Sequence, residues 1–140
     1  MPITKGYQQL VAEAMAQVRT HRVEQVRSRL SDPAIQIVDI RDIRELADGT
    51  ILGALHAPRG MLEFWVDPAS PYHKPIFADE SREFVLFCGA GWRSALAAKT
   101  LQDMGMANVS HIDGGWAEWV RSGAPTDTLE AQKARRQSKA

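Results

Sequence analysis

A short apolar run that leads into the chain's only cysteine constrains the fold most strongly. Residues 84–87 (FVLF) are consecutive apolar residues, and Cys88 follows them directly. A run this short and this rich in Phe and Val predicts a strand that is buried on both faces, as in a parallel sheet. Gly89 and Gly91 come next, and a helical pattern begins near Arg93. The sequence therefore predicts a strand, a tight turn and a helix N-terminus in direct succession.

The predicted turn after this strand should form a cradle for an anion. The first N–H groups of a helix have no partners within the helix, and the helix dipole is positive at that end. A sulfur at the edge of such a cradle is stabilised as the reactive thiolate. A lone cysteine after an apolar run is more often a small buried hydrophobe. The position of Cys88 at the strand end, beside two glycines and the permanent charge of Arg93, favours a nucleophile instead.

The composition excludes several classes of protein. The 17 basic and 17 acidic residues give a formal net charge of zero, which provides no general surface for nucleic acids or anionic membranes. No apolar run approaches the ~20 residues that span a bilayer, and the N-terminus lacks the pattern of a signal peptide. One cysteine cannot form an internal disulfide. We therefore expect a cytoplasmic protein with no nucleic-acid partner and no membrane partner.

The alternation of predicted strands and helices defines the expected fold class. Strands are predicted at 34–40, 54–56, 84–87 and 109–112. Helices are predicted at 5–19, 22–30, 61–66, 92–104 and 116–122. This alternation predicts an α/β domain with a mainly parallel central sheet and helices on both faces. The expected division is an N-terminal helical extension (1–20), the α/β domain (21–125) and a polar C-terminal tail (126–140), which is either a frayed helix or disordered.

Polar groups follow two of the predicted strands where those strands end. Cys88 ends the strand at 84–87, and Asp39 and Arg41 lie at the end of the strand at 34–40. In open parallel sheets, functional groups gather at the carboxyl ends of the strands. We therefore expect these three residues to lie at the same edge of the sheet.

Four segments of the chain carry, in order and spacing, the motifs of a known family. They are 37–41 (IVDIR), 49–58 (GTILGALHAP), 88–94 (CGAGWRS) and 113–116 (DGGW). Together they resemble a single-domain rhodanese, a sulfurtransferase, and the resemblance covers about residues 34–122. Each motif alone is weak, whereas the four in series are specific. One departure is Thr50, which stands where the family often has His, and we expect this change to be neutral for the chemistry.

The resemblance implies a mechanism that agrees with the predicted cradle. In rhodaneses the loop cysteine attacks a sulfane sulfur and becomes a persulfide, and a nucleophile then takes that sulfur. Cys88 is thereby implied to be the nucleophile and the sulfur carrier. The backbone N–H groups that would hold the thiolate, the persulfide and the incoming anion are those of Gly89, Ala90, Gly91, Trp92 and Arg93.

The resemblance also implies the kind of partner. The expected partners are a small-molecule sulfur donor such as thiosulfate and a thiophilic acceptor, for which a protein thiol is one candidate. No cofactor is implied. No metal site is expected either, because His56 and His111 have no accompanying Cys, His or Asp residues at metal-ligand spacing.

The residues around the cysteine are given supporting roles. Arg93 would help to hold the loop or bind an anionic donor, and the alternative is a structural ion pair with an acidic residue such as Asp39. Asp39 and Arg41 are expected to brace the loop and to take no part in the chemistry. Trp92 lies within the loop, where its large ring would shape the mouth of the pocket.

Two other functions compete with sulfur transfer. Cysteine phosphatases and arsenate reductases of the related kind have five residues between Cys and Arg, whereas four residues (89–92) separate Cys88 from Arg93 here. The shorter loop makes a smaller cradle, which suits one sulfur better than a tetrahedral oxyanion. A phosphatase also needs a general acid for the leaving group. A non-catalytic binding module ranks last, because Cys88 is retained.

Overall fold

The structure is a computed structural model that describes residues 2–138. Its strands are β1 (Arg19–His21), β2 (Ile35–Asp39), β3 (Thr50–Ile51), β4 (Leu55–His56), β5 (Glu83–Phe87), β6 (Val109–Ile112) and β7 (Thr126–Asp127). Its α-helices are α1 (Tyr7–Gln17), α2 (Val23–Arg27), α3 (Leu62–Val66), α4 (Trp92–Asp103), α5 (Gly115–Arg121) and α6 (Leu129–Ser138). Three 3-10 helices are Ile43–Asp48, Arg59–Met61 and Pro75–Ala78. Among these helices, none has the length and apolarity needed to cross a membrane.

A five-stranded parallel sheet forms the centre of the molecule, with the strand order β1-β6-β5-β2-β4. The central strand β5 is apolar because both of its faces are covered. Phe84 and Leu86 pack into the apolar cluster that includes residues of α3 and α4, and Val85 and Phe87 pack into the cluster that includes residues of α2 and α5. The predicted α/β class, with a mainly parallel sheet and helices on both faces, is confirmed.

Strand β1 was not predicted, and it changes the role of the N-terminal segment. It holds three residues, none of them apolar, so it carries no alternating pattern that the sequence could reveal. It is a strand because its backbone pairs with β6, with Thr20 opposite His111. Residues 19 and 20, which were assigned to a helical extension, therefore lie at the edge of the main sheet. Helix α1 packs against α4, and Gln102 donates a hydrogen bond to the carbonyl of Gln17.

The C-terminal segment forms a strand, Thr126–Asp127, and a helix, Leu129–Ser138. Strand β7 pairs with β3 in an antiparallel ribbon. In α6, Gln132 is buried, and Arg135 forms an ion pair with Asp127 of β7. Of the two expectations for this tail, the helical one is observed for Leu129–Ser138.

Glu83, at the start of β5, ties three strands together through its carboxylate. Ser110 Oγ lies 2.6 Å from the carboxylate, His21 Nε2 lies 2.5 Å from it, and Arg29 donates to it at 3.2 Å. Burial would raise the pKa of Glu83, but the hydrogen bonds from Ser110, His21 and Arg29 outweigh burial and lower the pKa to about 2. The ionised form of Glu83 therefore stabilises the fold.

We expect Glu83→Gln to remove part of the acid sensitivity of folding. Because the folded-state pKa is below the ordinary 4.5, the stabilisation is complete above about pH 5 and is lost as the pH falls towards 2. At pH 6 the variant should be less stable by roughly 1–3 kcal/mol, because solvent screens part of the interaction, and the gap should close in acid. Urea unfolding at several pH values measures this, with exposed Glu24→Gln as control. Parallel stability curves for wild type and Glu83→Gln would contradict the assignment.

Candidate active site

Cys88 follows β5 directly, and its sulfur is buried at the N-terminus of α4. The residue is 1% exposed. Its Sγ accepts a hydrogen bond from the N–H of Gly91 at 3.2 Å and another from the N–H of Ser94 at 3.4 Å. Gly91 is the N-cap residue of α4, and Ser94 is in its first turn. The strand, turn and helix therefore present backbone donors to the sulfur, as a thiolate requires.

Two carbonyl groups at the start of the loop accept hydrogen bonds from α5. The N–H of Trp116 donates to the carbonyl of Cys88 at 2.8 Å, and the N–H of Ala117 donates to the carbonyl of Gly89 at 3.0 Å. These donors belong to the first turn of α5, whose N–H groups have no partners within the helix. Helix α5 thereby supports the backbone of the loop that surrounds the sulfur.

Two glycines allow this close contact between the loop and the turn before α5. Gly115 has φ +54°, and a Cβ there would lie 2.3 Å from the carbonyl oxygen of Cys88. Gly91 has φ +98°, and a Cβ there would lie 3.2 Å from the backbone nitrogen of Gly114. Side chains are disfavoured at both positions by the left-handed backbone and by the contact. The segment 113–116 is thus part of the site, although its residues do not touch the sulfur.

Arg93 forms a two-pronged ion pair with Glu45. Its Nη1 lies 2.7 Å from Oε1 and its Nη2 lies 3.0 Å from Oε2 of that carboxylate. The pKa of Arg93 is raised, chiefly by the hydrogen bond to Glu45 and further by the nearby charge of Cys88. The hydrogen bond from Arg93 likewise lowers the pKa of Glu45. The ion pair that was expected as the alternative role of Arg93 exists, but its partner is Glu45 and not Asp39.

Asp39 and Arg41 form a buried ion pair at the end of β2. Arg41 is 2% exposed and Asp39 is fully buried, and Arg41 Nη2 donates to Asp39 Oδ2 at 2.8 Å. Arg41 also donates to the carbonyl of Gly49 at 2.8 Å and to that of Glu45 at 3.3 Å. Arg41 therefore binds the middle of the 3-10 helix that carries Glu45 and the residue that caps the C-terminus of that helix. The pair reaches the cysteine loop indirectly, on one side through Glu45 and Arg93.

Thr50 and Trp116 complete the surroundings of this ion pair. Thr50 is buried, and its hydroxyl donates to Asp39 at 2.8 Å. The ring of Trp116 lies over the Arg41 guanidinium, 4.7 Å from it. The residue at the family's His position therefore serves the buried pair and not the sulfur.

Four residues near the sulfur were not predicted as site residues. Ser94 Oγ lies 3.7 Å from Cys88 Sγ and 3.0 Å from His111 Nδ1. His111 Nε2 in turn lies 3.0 Å from Thr20 Oγ1. Ser94 was visible as the last residue of the segment 88–94. The contacts of His111, Thr20 and Glu45 left no local signal, because the fold brings these residues to the site from distant segments.

The other predicted site residues lie around the loop. Five loop residues were predicted to donate backbone N–H groups, and Gly91 is the one of these five whose N–H bonds to the sulfur. The other four are Gly89, Ala90, Trp92 and Arg93. Trp92 is the first residue of α4 and is 55% exposed, with its ring centroid 5.2 Å from that of Tyr7 in α1. The N-terminal helix therefore contacts the rim of the loop.

No metal-binding cluster is found. Across residues 2–138, no group of three or more His, Cys, Asp and Glu residues could hold a metal ion. His56 instead bonds through Nε2 to the carbonyl of Arg41 at 2.7 Å. This contact adds a further restraint on the segment after β2.

The comparison with known proteins identifies the family. Residues 22–122 match the sequence model of the Rhodanese-like domain. The chain belongs to the rhodanese-like domain family. It is 31% identical over 113 residues to the thiosulfate:glutathione sulfurtransferase of Homo sapiens, covering 76% of this chain and 96% of that protein. It is 32% identical over 106 residues to a sulfurtransferase of Allochromatium vinosum, covering 73% of this chain and 88% of that protein.

A solved structure agrees with the fold of this rhodanese-like domain over nearly its whole length. A protein of unknown function from Rhodopseudomonas palustris, described as a possible tyrosine phosphatase, is 45% identical and superimposes with a TM-score of 0.86. The match covers 91% of this chain and 98% of that one. The description of that protein agrees with the phosphatase alternative, so the geometry of the cysteine loop must be compared with what a phosphatase requires.

We expect Arg41→Met to destabilise the rhodanese-like domain strongly, because it leaves Asp39 buried without its cation. Removal of one partner of a buried ion pair costs about 3–5 kcal/mol. The matched control is Arg44→Met, which removes an exposed arginine that pairs with Asp42 and should change stability little. Thermal and urea unfolding compare the two variants. Equal stability of Arg41→Met and Arg44→Met would contradict the bracing role.

Proposed function

We propose that this protein is a sulfurtransferase that moves a sulfane sulfur from a donor such as thiosulfate to a thiophilic acceptor through a persulfide on Cys88. The observation that carries the proposal is the buried Cys88 Sγ, which accepts N–H hydrogen bonds from Gly91 and Ser94 at the N-terminus of α4. Backbone donors of this kind favour negative charge on a sulfur. The sulfurtransferase names of the human and Allochromatium relatives support the same activity.

In the first step, the Cys88 thiolate attacks the outer, sulfane sulfur of the donor. A bond forms between Sγ and the sulfane sulfur, and the bond from that sulfur to the rest of the donor breaks. With thiosulfate, the electron pair of the broken bond leaves with sulfite. The products are the Cys88 persulfide anion and sulfite, so charge and atoms balance without an added oxidant. The loop N–H groups would hold the negative charge of the persulfide.

In the second step, a thiolate acceptor attacks the outer sulfur of the persulfide. The bond between Cys88 Sγ and the outer sulfur breaks, and its electron pair returns to Sγ. The acceptor leaves as a persulfide, and Cys88 is again a thiolate held by Gly91 and Ser94. Either a small thiol or a protein thiol can act in this way. A free thiol of this kind suits a reducing compartment, and we propose the cytoplasm.

The phosphatase alternative is the stronger of the two competitors, because of the description of the Rhodopseudomonas protein. Two features of this site argue against it. Two of the five N–H donors of Arg93 bind Glu45, and the carboxylate of Glu45 neutralises the charge that a phosphate would need. Glu45 cannot serve as the general acid, because the hydrogen bond from Arg93 lowers its pKa and keeps it ionised at neutral pH.

The proposal is tested by intact-mass measurement after incubation with thiosulfate. We expect wild type to gain one sulfur atom, and Cys88→Ser to gain none, because oxygen is a poor sulfur acceptor and no alkoxide is available near pH 7. The same preparations are assayed with an aryl phosphate, on which we expect negligible activity. Phosphate release that depends on Cys88, without any sulfur adduct, would support the phosphatase. If neither sulfur transfer nor phosphate release is detected, the result favours a non-catalytic binding module.

The role of Arg93 is tested by comparing Arg93→Lys, Arg93→Ala and Glu45→Gln in thiosulfate turnover. If Arg93 braces the loop through its fork, Arg93→Lys should lose roughly tenfold to a hundredfold, the scale of a lost charge-assisted hydrogen bond. Glu45→Gln should then lose activity as well. If Arg93 binds the donor instead, Glu45→Gln should preserve turnover and lower KM.

We expect the bracing result, with all three variants folded by circular dichroism, because the Arg93–Glu45 pair is partly exposed. Full activity in Arg93→Ala would show that Arg93 neither braces the loop nor binds the donor. The backbone donors of the loop would then be the remaining anion binders that we propose.

A further inference from the structure

A line of polar side chains runs from the Cys88 sulfur to the edge strand β1. Ser94 Oγ lies 3.7 Å from Cys88 Sγ and 3.0 Å from His111 Nδ1, and His111 Nε2 lies 3.0 Å from Thr20 Oγ1. Ser94 and His111 are fully buried, and Thr20 is half-buried. The proposed function uses the backbone N–H of Ser94 but none of these side chains.

The hydrogen bonds of the line have a direction. The other neighbour of the Thr20 hydroxyl is the thioether sulfur of Met15 at 4.0 Å, which is a weak acceptor. Because a ring nitrogen is a better acceptor than a thioether, we assign the Thr20 proton to the bond with His111 Nε2. This assignment leaves the imidazole proton on Nδ1, which donates to Ser94 Oγ. Burial lowers the pKa of His111 to about 4, against the opposing charge of Asp113, so the ring is neutral at pH 7.

Ser94 Oγ, which accepts from His111, has its own proton to donate. While Cys88 is a thiol, its Sγ donates to Ser94 Oγ at 3.7 Å, and Ser94 Oγ donates its own proton to the carbonyl oxygen of Gly91 at 3.3 Å. Once Cys88 is a thiolate, its sulfur is a second acceptor within reach of the Ser94 hydroxyl. A thiolate is a stronger acceptor than a neutral carbonyl, because hydrogen bonds to charged groups are the stronger ones. The inner sulfur of a persulfide no longer carries that charge.

We propose that the Ser94 hydroxyl, oriented by His111, donates a hydrogen bond to the Cys88 sulfur whenever that sulfur is a thiolate and turns to the carbonyl of Gly91 in the persulfide. This inference rests on the proposed function of Cys88 as sulfur carrier. Ser94 is then a catalytic residue, because it touches the reacting sulfur as the sulfur receives the electron pair in the second step. His111 is a positioning residue that acts through Ser94, and Thr20 orients His111.

The test measures how the alkylation of Cys88 by iodoacetamide depends on pH, followed by intact mass. This reagent is neutral, and the charged groups near the sulfur and His111, which are Arg93, Asp113 and His21, stay unchanged in every variant. Ser94→Ala should raise the pH of half-maximal alkylation by about one unit, the scale of one hydrogen bond to a charged acceptor. Thr100→Val is the matched control, since its hydroxyl bonds within α4 to Leu96.

A double-mutant cycle separates the proposed action of His111 through Ser94, which we call the relay, from a merely structural role of His111. His111→Leu should raise the pH of half-maximal alkylation in the wild-type background and have no further effect in the Ser94→Ala background. His111→Asn can keep an N–H donor near the position of Nδ1 and should retain most of the wild-type profile. If His111→Leu does not fold, Ser94→Ala decides the proposal by itself.

Two results would overturn the relay. One is an unchanged alkylation profile in Ser94→Ala, and the other is an equal effect of His111→Leu in both backgrounds. Alkylation of Cys88 requires no sulfur transfer, so the alkylation profiles can be interpreted even if wild type forms no persulfide with thiosulfate. In that case the proposed function fails, while the hydrogen bond to the sulfur is still tested.

Discussion

The conformation of the cysteine loop depends on two hydrogen bonds that α5 donates to it. The N–H groups of Trp116 and Ala117 bind the carbonyls of Cys88 and Gly89, which lets the loop turn donors from Gly91 and Ser94 towards the sulfur. Both the donors at α5 and those at α4 are first-turn N–H groups without partners in their own helices. The N-terminus of α5 therefore fixes the shape of the loop, and the N-terminus of α4 binds the sulfur.

Charged groups extend the support of the loop from the interior to the surface. Arg41 of the buried Asp39–Arg41 pair binds the middle and the C-terminal cap of the 3-10 helix Ile43–Asp48, and Glu45 of that helix binds Arg93. The inner pair is buried, whereas the outer pair is partly exposed and contributes less to stability. Loss of the inner pair should therefore affect folding, and loss of the outer pair should affect activity.

The parts of the site that could be predicted are local in the chain. The apolar run before Cys88 and the glycines after it indicated the strand, the turn and the helix start, and the parallel sheet followed from the alternation of elements. Strand β1 was missed because three polar residues carry no periodic signal and pair only through their backbone. Asp39 was named as one possible acidic partner of Arg93, since nothing near Glu45 in the sequence shows that Arg41 and Thr50 already bind Asp39.

The sequence by itself determined the family, the α/β class and the position of the nucleophile at a helix start, because these depend on short residue patterns and on their order along the chain. The tertiary structure decided which side chains surround the sulfur. Glu45 is 48 residues from Arg93, and Thr20 is 91 residues from His111. Such neighbours are set by strand order and register, with Thr20 placed opposite His111 by the pairing of β1 with β6. Register arises from packing of the whole sheet, and a local pattern does not encode it.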